Sequence, residues 1–329
     1  MSDTLALMDL FLGPATPAAL ERVSGVDRAQ MRGLLDELRL APEVVAELEA
    51  HWESTRDTPR WASLLAALSE RVRRDRGTVD AHIAIWADLD DYGPEGRLLY
   101  YYLFALEAPG LVELYESWGL PEDVRRATLG ALARHGETHR LKHGTVGVDA
   151  GWWTLPLLWG NILEVGSLKF EYLHLGVGTL SPHPWLDEDV ARRRGEGFRR
   201  GDPALNVHIP ARIDLSDEAL DATFARAREV LPRVWPVATR RIAVCQSWMM
   251  DDRLVAALGE GSRIVRFQRR FELIEPYADD VDNVMYFVFG VEGVDPSTLQ
   301  PNSRLQRYIK EVLVAGGSWH SRTGWLAFD

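Results

Sequence analysis

Residues 205–247 read LNVHIPARIDLSDEALDATFARAREVLPRVWPVATRRIAVCQS, and this stretch decides the fold. Apolar residues around a single histidine at 205–209 predict a short strand. Ser216 is a good N-cap residue, so a helix is predicted over 217–231. Residues 241–247 predict a second strand. The order of strand, helix and strand indicates a domain that mixes both kinds of element.

The same mixture extends outward through the second half of the chain. Alternating or short apolar runs predict the other strands, and helical spacing predicts the other helices. The strands are predicted at 162–174, 271–275, 284–289 and 325–328, and the helices within 251–269 and over 302–315.

The first 160 residues have a different pattern, with apolar residues at helical spacing and no strand alternation. Prolines open several of these segments, as they do at helix starts. Pro121 is predicted to open one long helix that runs toward Gly144. The fold class is therefore α+β: an all-helical N-terminal domain at 1–150, followed at 151–329 by a mixed α/β domain with a central twisted sheet.

Composition limits the function. The chain has 329 residues and a net charge of −12, which repels phosphate backbones and argues against nucleic-acid binding. No apolar run is long enough to cross a membrane. The apolar stretch at 5–12 lacks the positive start of a secretory signal. Cys245 is the only cysteine, so no internal disulfide forms, and the expected location is cytoplasmic.

Two strand residues are candidate general bases. His208 lies between Val207 and Ile209 and points to the opposite face of its strand. Histidine titrates near neutral pH, which suits proton transfer. Glu171 stands in an apolar strand, where burial would raise the pKa of its carboxyl group. Either residue could instead be a structural hydrogen-bonding group.

The second predicted strand carries two further candidates. Cys245 and Ser247 share one face of it. A cysteine beside a histidine can act as a nucleophile, although a lone strand cysteine is more often a small buried hydrophobe. Three histidines at helical spacing in the first half, at positions 135, 139 and 143, leave a metal site as a further alternative.

Residues 210–216 lie between a strand and a helix, where phosphate-binding loops occur. This loop contains no glycine, and Arg212 is its one residue that favours an anion. The acids that follow at Asp217, Glu218 and Asp221 would repel a pyrophosphate.

Several segments of the second half form a recognisable set. They are GSLKFE (166–171), VHIP (207–210), CQSWMM (245–250), SRIVRFQ (262–268), LQR (305–307), GGSW (316–319) and GW (324–325). In this order they resemble the bacterial acyltransferase-domain proteins that join a helical N-acyltransferase N-terminal domain to a GNAT-like C-terminal domain. The resemblance implies a sheet whose two central parallel strands splay apart, with the pantetheine arm of an acyl thioester between them. Those strands look like 205–209 and 241–247.

The resemblance also implies an activity: transfer of an acyl group from CoA or a carrier-protein thioester to a small-molecule amine, with no metal. The implied bases are Glu171 or His208, while Ser247 would orient the acceptor or protonate the thiolate. The residues implied for cofactor binding are Val207, Ile209, Arg212 and Cys245.

Two features differ from ordinary GNAT enzymes. The glycine-rich phosphate loop is absent, and the helix after the second splayed strand has Phe267 and Gln268 where a tyrosine acid is usual. These departures favour an alternative, a non-catalytic GNAT-like module that binds a ligand or a protein.

Overall fold

The computed structural model describes residues 13–78, 93–177 and 185–328. Internal contacts divide the chain into two units, one ending at Glu164 and the other starting at Val165. The predicted boundary between 150 and 151 stays a prediction. The apolar stretch at 5–12 lies outside the described residues.

The first unit is built from helices. They are α1 (Pro17–Ser24), α2 (Arg28–Glu37), α3 (Pro42–Thr55), α4 (Pro59–Asp75), α5 (Gly93–Ser117), α6 (Glu122–Leu129), α7 (Ala131–His143) and α8 (Leu155–Trp159). Proline stands in the first turn of α1, α3 and α4, where its fixed φ favours helix formation. The predicted long helix from Pro121 to Gly144 is wrong, because Gly130 separates α6 from α7.

Helix α5 is the centre of this unit. Every residue from 98 to 106 is buried, so the helix is covered on all sides. The buried carboxylate of Glu107 is compensated by Arg73 at 2.9 Å, by Arg76 and by the hydroxyl of Ser69. Removing one of these partners would leave a buried charge uncompensated.

A mixed sheet follows the helices. The strands are β1 (Ile162–Val165), β2 (Leu168–His174), β3 (Pro203–His208), β4 (Ile242–Ser247), β5 (Glu272–Asp279) and β6 (His320–Ala327), in the order β1-β2-β3-β4-β6-β5. Strand β1 crosses the boundary between the units at Glu164, and the other five strands lie in the second unit. The helices are α9 (Glu188–Arg194), α10 (Asp217–Val230), α11 (Leu254–Leu258), α12 (Arg263–Gln268), α13 (Val281–Val284) and α14 (Arg304–Val314).

Strands β3 and β4 run parallel, and α10 is the helix that connects them. Strand β3 pairs antiparallel with β2, and β6 pairs antiparallel with both β4 and β5. Ser216 caps α10 as predicted, because its Oγ accepts the N–H of Ala219 at 3.3 Å. Helices followed by this mixed sheet confirm the predicted fold class.

Two strand predictions are wrong in detail. The single strand predicted at 162–174 is two strands, β1 and β2, joined by a turn in which Gly166 has φ +59°. A Cβ at Gly166 would lie 2.3 Å from Thr223 Oγ1, so this close approach also requires glycine. The strand predicted at 284–289 is a π-helical turn, Met285–Phe289, that follows α13. A short apolar run does not distinguish these conformations.

The sheet of the second unit has two faces, which alternation and register define. We call the first the Glu171 face, because it carries Glu171, Asn206 and Val244. The opposite Cys245 face carries Phe170 and Cys245, and Phe170 packs edge-on against Phe224 of α10. Part of the Glu171 face is covered by a separate apolar cluster around α9: Leu175, Trp185, Leu186, Ala191, Phe198, Ala204, Ile242, Val244 and Ile274.

Within the described ranges, no helix is both long enough and apolar enough to cross a membrane.

Candidate active site

The central parallel strands are paired over a short stretch only. In the described part of the chain, β3 pairs with β4 at two positions only: Leu205 is opposite Ala243, and Asn206 is opposite Val244. Beyond these pairs, β3 is paired with β2 and β4 with β6. The ladder between the two strands therefore ends at Asn206 and Val244, and the strand ends beyond it are not paired with each other. We call the region between these unpaired ends, Val207–Ile209 and Cys245–Ser247, the β3–β4 opening.

Two of the predicted site residues meet on the Glu171 face. His208 Nε2 lies 2.8 Å from Glu171 Oε2. The register explains the contact, because Glu171 is directly opposite Asn206 and His208 is two residues further along β3. The side chains are 23% and 16% exposed, so both are half-buried but reachable from solvent.

A third group, Asn206, contacts this pair. Asn206 Nδ2 also donates to Glu171 Oε2, at 3.2 Å. An oxygen that accepts from an amide N–H and approaches a ring nitrogen at 2.8 Å is best satisfied when that nitrogen also donates. Asn206 Nδ2 also lies 3.3 Å from His208 Nε2, but the contact of that ring nitrogen with the Glu171 oxygen is shorter. The shorter contact favours the tautomer with the proton on Nε2, in which the lone pair of the neutral ring is on Nδ1.

Cys245 lies on the opposite face of the sheet and is fully buried. Burial raises the pKa of its thiol well above the ordinary value, so the thiol stays protonated at neutral pH. A protonated, inaccessible thiol is not a nucleophile. The structure supports the buried hydrophobe rather than the catalytic cysteine.

This burial predicts low chemical reactivity. We expect a thiol reagent at neutral pH to modify native protein at a small fraction of the rate seen in denaturant, because both exposure and thiolate are lacking. Time-resolved mass spectrometry of the intact chain measures both rates. Similar rates in the two conditions would contradict the burial of Cys245.

Ser247 also lies on the other face of its strand from the His208–Glu171 pair. Its strand neighbours place it on the Cys245 face, opposite Arg322 of β6. The Ser247 Oγ accepts the N–H of Met249 at 3.1 Å and caps the short 3₁₀ turn Trp248–Met250. The hydroxyl hydrogen is still available to donate, because the cap uses only the oxygen.

The cap formed by Ser247 leads to a prediction about stability. Ser247→Ala should lower the free energy of unfolding by about 1 kcal/mol, the usual cost of a lost N-cap. Denaturant unfolding measures the change, with Ser247→Thr as the variant that keeps the hydroxyl. Equal stability of the alanine variant and the wild type would show that the cap contributes nothing.

The remaining predicted residues lie on or beyond the end of β3. Val207 is buried on the Cys245 face, and Ile209 follows the last strand residue and is half-buried. Arg212 is exposed in the loop before α10 and has φ +60°, in the left-handed region.

Two acidic residues at the start of α10 form ion pairs with arginines. Asp217 and Asp221 contact Arg270 at 3.2 and 2.6 Å, and Asp217 also contacts Arg266 at 3.0 Å. The sequence predicted repulsion of a pyrophosphate here. These arginines neutralise the acids, so the repulsion at the end of the Arg212 loop is largely offset.

The loop has one further acidic residue. Asp214 accepts the backbone N–H and the hydroxyl of Ser216, both at 2.9 Å. These hydrogen bonds, the backbone one first, hold the pKa of Asp214 below its ordinary value. The carboxylate therefore stabilises the turn before α10.

The histidines of α7 make structural contacts. His135 Nδ1 faces the carbonyl of Asp149 at 2.9 Å, and His139 Nδ1 faces that of Thr145 at 3.1 Å. No group of three potential ligands suited to a metal ion occurs in the part of the chain that the structure describes.

Comparison with known proteins agrees with this architecture. Residues 29–159 match the N-acyltransferase N-terminal domain, and residues 162–326 match the GNAT-like C-terminal domain. The chain belongs to the family of GNAT-like C-terminal domain proteins, here preceded by the N-acyltransferase N-terminal domain. Its fold and family are those of acyltransferases, as the resemblance implied.

Solved structures include similar chains. An acyltransferase mutant in complex with octanoyl-CoA is 25% identical with a TM-score of 0.77, covering 98% of this chain and 93% of its own. An acyltransferase with CoA and 10C-teicoplanin is 25% identical with a TM-score of 0.73, covering 91% and 88%. Another, with decanoyl-CoA and teicoplanin, is 24% identical with a TM-score of 0.75, covering 99% of both chains. No curated protein matches the chain.

Proposed function

We propose that this protein transfers an acyl group from acyl-CoA to an amine on a small molecule. The observation that carries the proposal is the β3–β4 opening, with the His208–Glu171 pair beside its closed end. A thioester held in the opening would bring its carbonyl carbon within reach of an amine beside His208. Family and fold support acyl transfer as the reaction class.

The reaction balances with the groups present. The amine nitrogen attacks the thioester carbon, and the lone pair of His208 Nδ1 takes the amine proton. The carboxylate of Glu171 stabilises the resulting imidazolium at 2.8 Å. A carbon–nitrogen bond forms, the carbon–sulfur bond breaks, and the sulfur leaves as CoA thiolate.

The other predicted residues would serve the thioester. Backbone groups of Val207 and Ile209, beyond the last pair with β4, are available to hold the pantetheine arm. Cys245, on β4, would form part of an apolar wall of the β3–β4 opening. The Ser247 hydroxyl, whose hydrogen the cap leaves available, would protonate the thiolate and regain a proton from water. His208 would release the amine proton to water, so the enzyme returns to its starting state. Arg212 would attract the nucleotide phosphates.

The ligands of similar structures inform the substrate class. Octanoyl-CoA, decanoyl-CoA and teicoplanin are bound by those acyltransferases. They support a medium-length fatty acyl donor and a bulky small-molecule acceptor for this chain. A carrier-protein thioester as donor, a cytoplasmic location and a bacterial origin are further parts of the proposal.

A non-catalytic module is the second candidate. It is favoured by Gln268, which stands where a tyrosine acid is usual and whose amide donates to two backbone carbonyls, at 3.2 and 2.7 Å. Such a module would bind acyl-CoA without releasing free CoA.

One experiment separates the two candidates. Purified protein is incubated with octanoyl-CoA and a panel of primary amines that includes glycopeptides, and mass spectrometry follows the acylated amine and free CoA. Amine-dependent formation of both products supports the transferase. Binding of octanoyl-CoA in calorimetry without any product supports the module, and no binding at millimolar concentration would refute both.

A further inference from the structure

Asn206 stands at the closed end of the β3–β4 opening, and the reaction proposed above gives it no role. It lies directly opposite Glu171 on β2 and forms the last β3 pair with β4, through Val244. The residue is 5% exposed, so its amide is almost fully removed from water. Burying an amide is unfavourable unless hydrogen bonds compensate it.

Only one end of this amide is compensated. Nδ2 donates to Glu171 Oε2 at 3.2 Å, whereas Oδ1 has no hydrogen-bond partner among the described residues. A buried acceptor without a partner is destabilising. A leucine of similar size would avoid this penalty, so stability does not account for asparagine at this position.

The donating end acts on the candidate catalytic pair. Glu171 Oε2 accepts both from Asn206 Nδ2 and from His208 Nε2. Asn206 Nδ2 also lies 3.3 Å from His208 Nε2, so the amide contacts both members of the pair. Its hydrogen bond to Oε2 restrains rotation of the carboxylate, so the oxygen stays directed at the imidazole.

We propose that Asn206 is a positioning residue that fixes the tautomer of His208. By holding Glu171 as an acceptor, Asn206 keeps the imidazole proton on Nε2 and leaves Nδ1 free of a proton. The tautomer is a property of the protein without substrate. Only its use, acceptance of the amine proton by Nδ1, rests on the proposed function.

The test compares Asn206→Leu with the wild type in two measurements that need no substrate. Nitrogen-15 NMR of the imidazole ring, assigned with a His208→Gln variant, reports the tautomer. We expect the wild type to be protonated mainly on Nε2 and the leucine variant to show a mixture of tautomers. The melting temperature should be unchanged or raised, because the uncompensated acceptor is removed.

Gln268→Leu is the matched control, since Gln268 is also a buried amide of the second unit but both of its N–H bonds go to backbone carbonyls. It should lower the melting temperature and leave the His208 tautomer unchanged. An unchanged tautomer in Asn206→Leu would overturn the proposal. A fall in its melting temperature as large as that of Gln268→Leu would overturn it as well.

Activity gives a third readout. In Asn206→Leu, kcat/KM for transfer from octanoyl-CoA should fall by about 10- to 100-fold, as for other residues that orient a functional side chain. The Kd for octanoyl-CoA should not change. An active wild type with an equally active Asn206→Leu would overturn the positioning role. A wild type without any transfer activity would instead refute the proposed function, and the tautomer comparison would still decide the role of Asn206.

Discussion

His208→Ala is expected to lower kcat/KM for acyl transfer by about 10²- to 10⁴-fold, the usual contribution of a positioned general base. The alanine has no group to take the amine proton. It also leaves Glu171 without its partner at 2.8 Å. Octanoyl-CoA should still bind, because the β3–β4 opening is formed by the backbone of the two strands.

The matched control is His174→Gln. His174 is on β2, where alternation places it on the opposite face from Glu171. Its replacement should leave kcat/KM close to that of the wild type. Steady-state kinetics with calorimetry of octanoyl-CoA binding measure both effects. An active His208→Ala protein would remove His208 from the mechanism.

Glu171→Gln should have an effect of the same order, roughly 10²- to 10⁴-fold, as expected for an acid that orients a catalytic histidine. The amide is uncharged, so it stabilises the imidazolium less. One end of it also donates, which favours the wrong tautomer of His208. The structure predicts these losses because Glu171 Oε2 accepts from both His208 and Asn206.

The two substitutions should not be additive, because the residues act as a unit. The double variant, Glu171→Gln with His208→Ala, is expected to have the same kcat/KM as the less active of the two single variants. A double-mutant cycle of kcat/KM values measures the coupling. Full additivity would mean that the 2.8 Å contact has no catalytic consequence.

Local sequence signals predicted much of the fold. The cap at Ser216 fixed the start of α10, and apolar runs located β3 and β4 within a residue or two. The π-helical turn at Met285–Phe289 was missed, because apolar runs this short occur in several conformations.

Which candidate residues meet in the site is determined by the register between strands that are distant in sequence. The sequence identified Glu171 and His208 separately, but nothing local to either shows that β2 and β3 pair with Glu171 opposite Asn206. The same register, with the pairing of Asn206 to Val244, places Ser247 and Cys245 on the other face. Asn206 was overlooked, although alternation with His208 already put both on one face of β3.

The central claim is that acyl-CoA binds between β3 and β4 with its thioester beside His208. A crystal structure with a non-hydrolysable octanoyl-CoA analogue tests it most directly. The account predicts density for the pantetheine arm between the backbone of Val207–Ile209 and that of Cys245–Ser247, with the thioester carbonyl near the imidazole. An analogue bound elsewhere, with β3 and β4 paired to their ends, would contradict it.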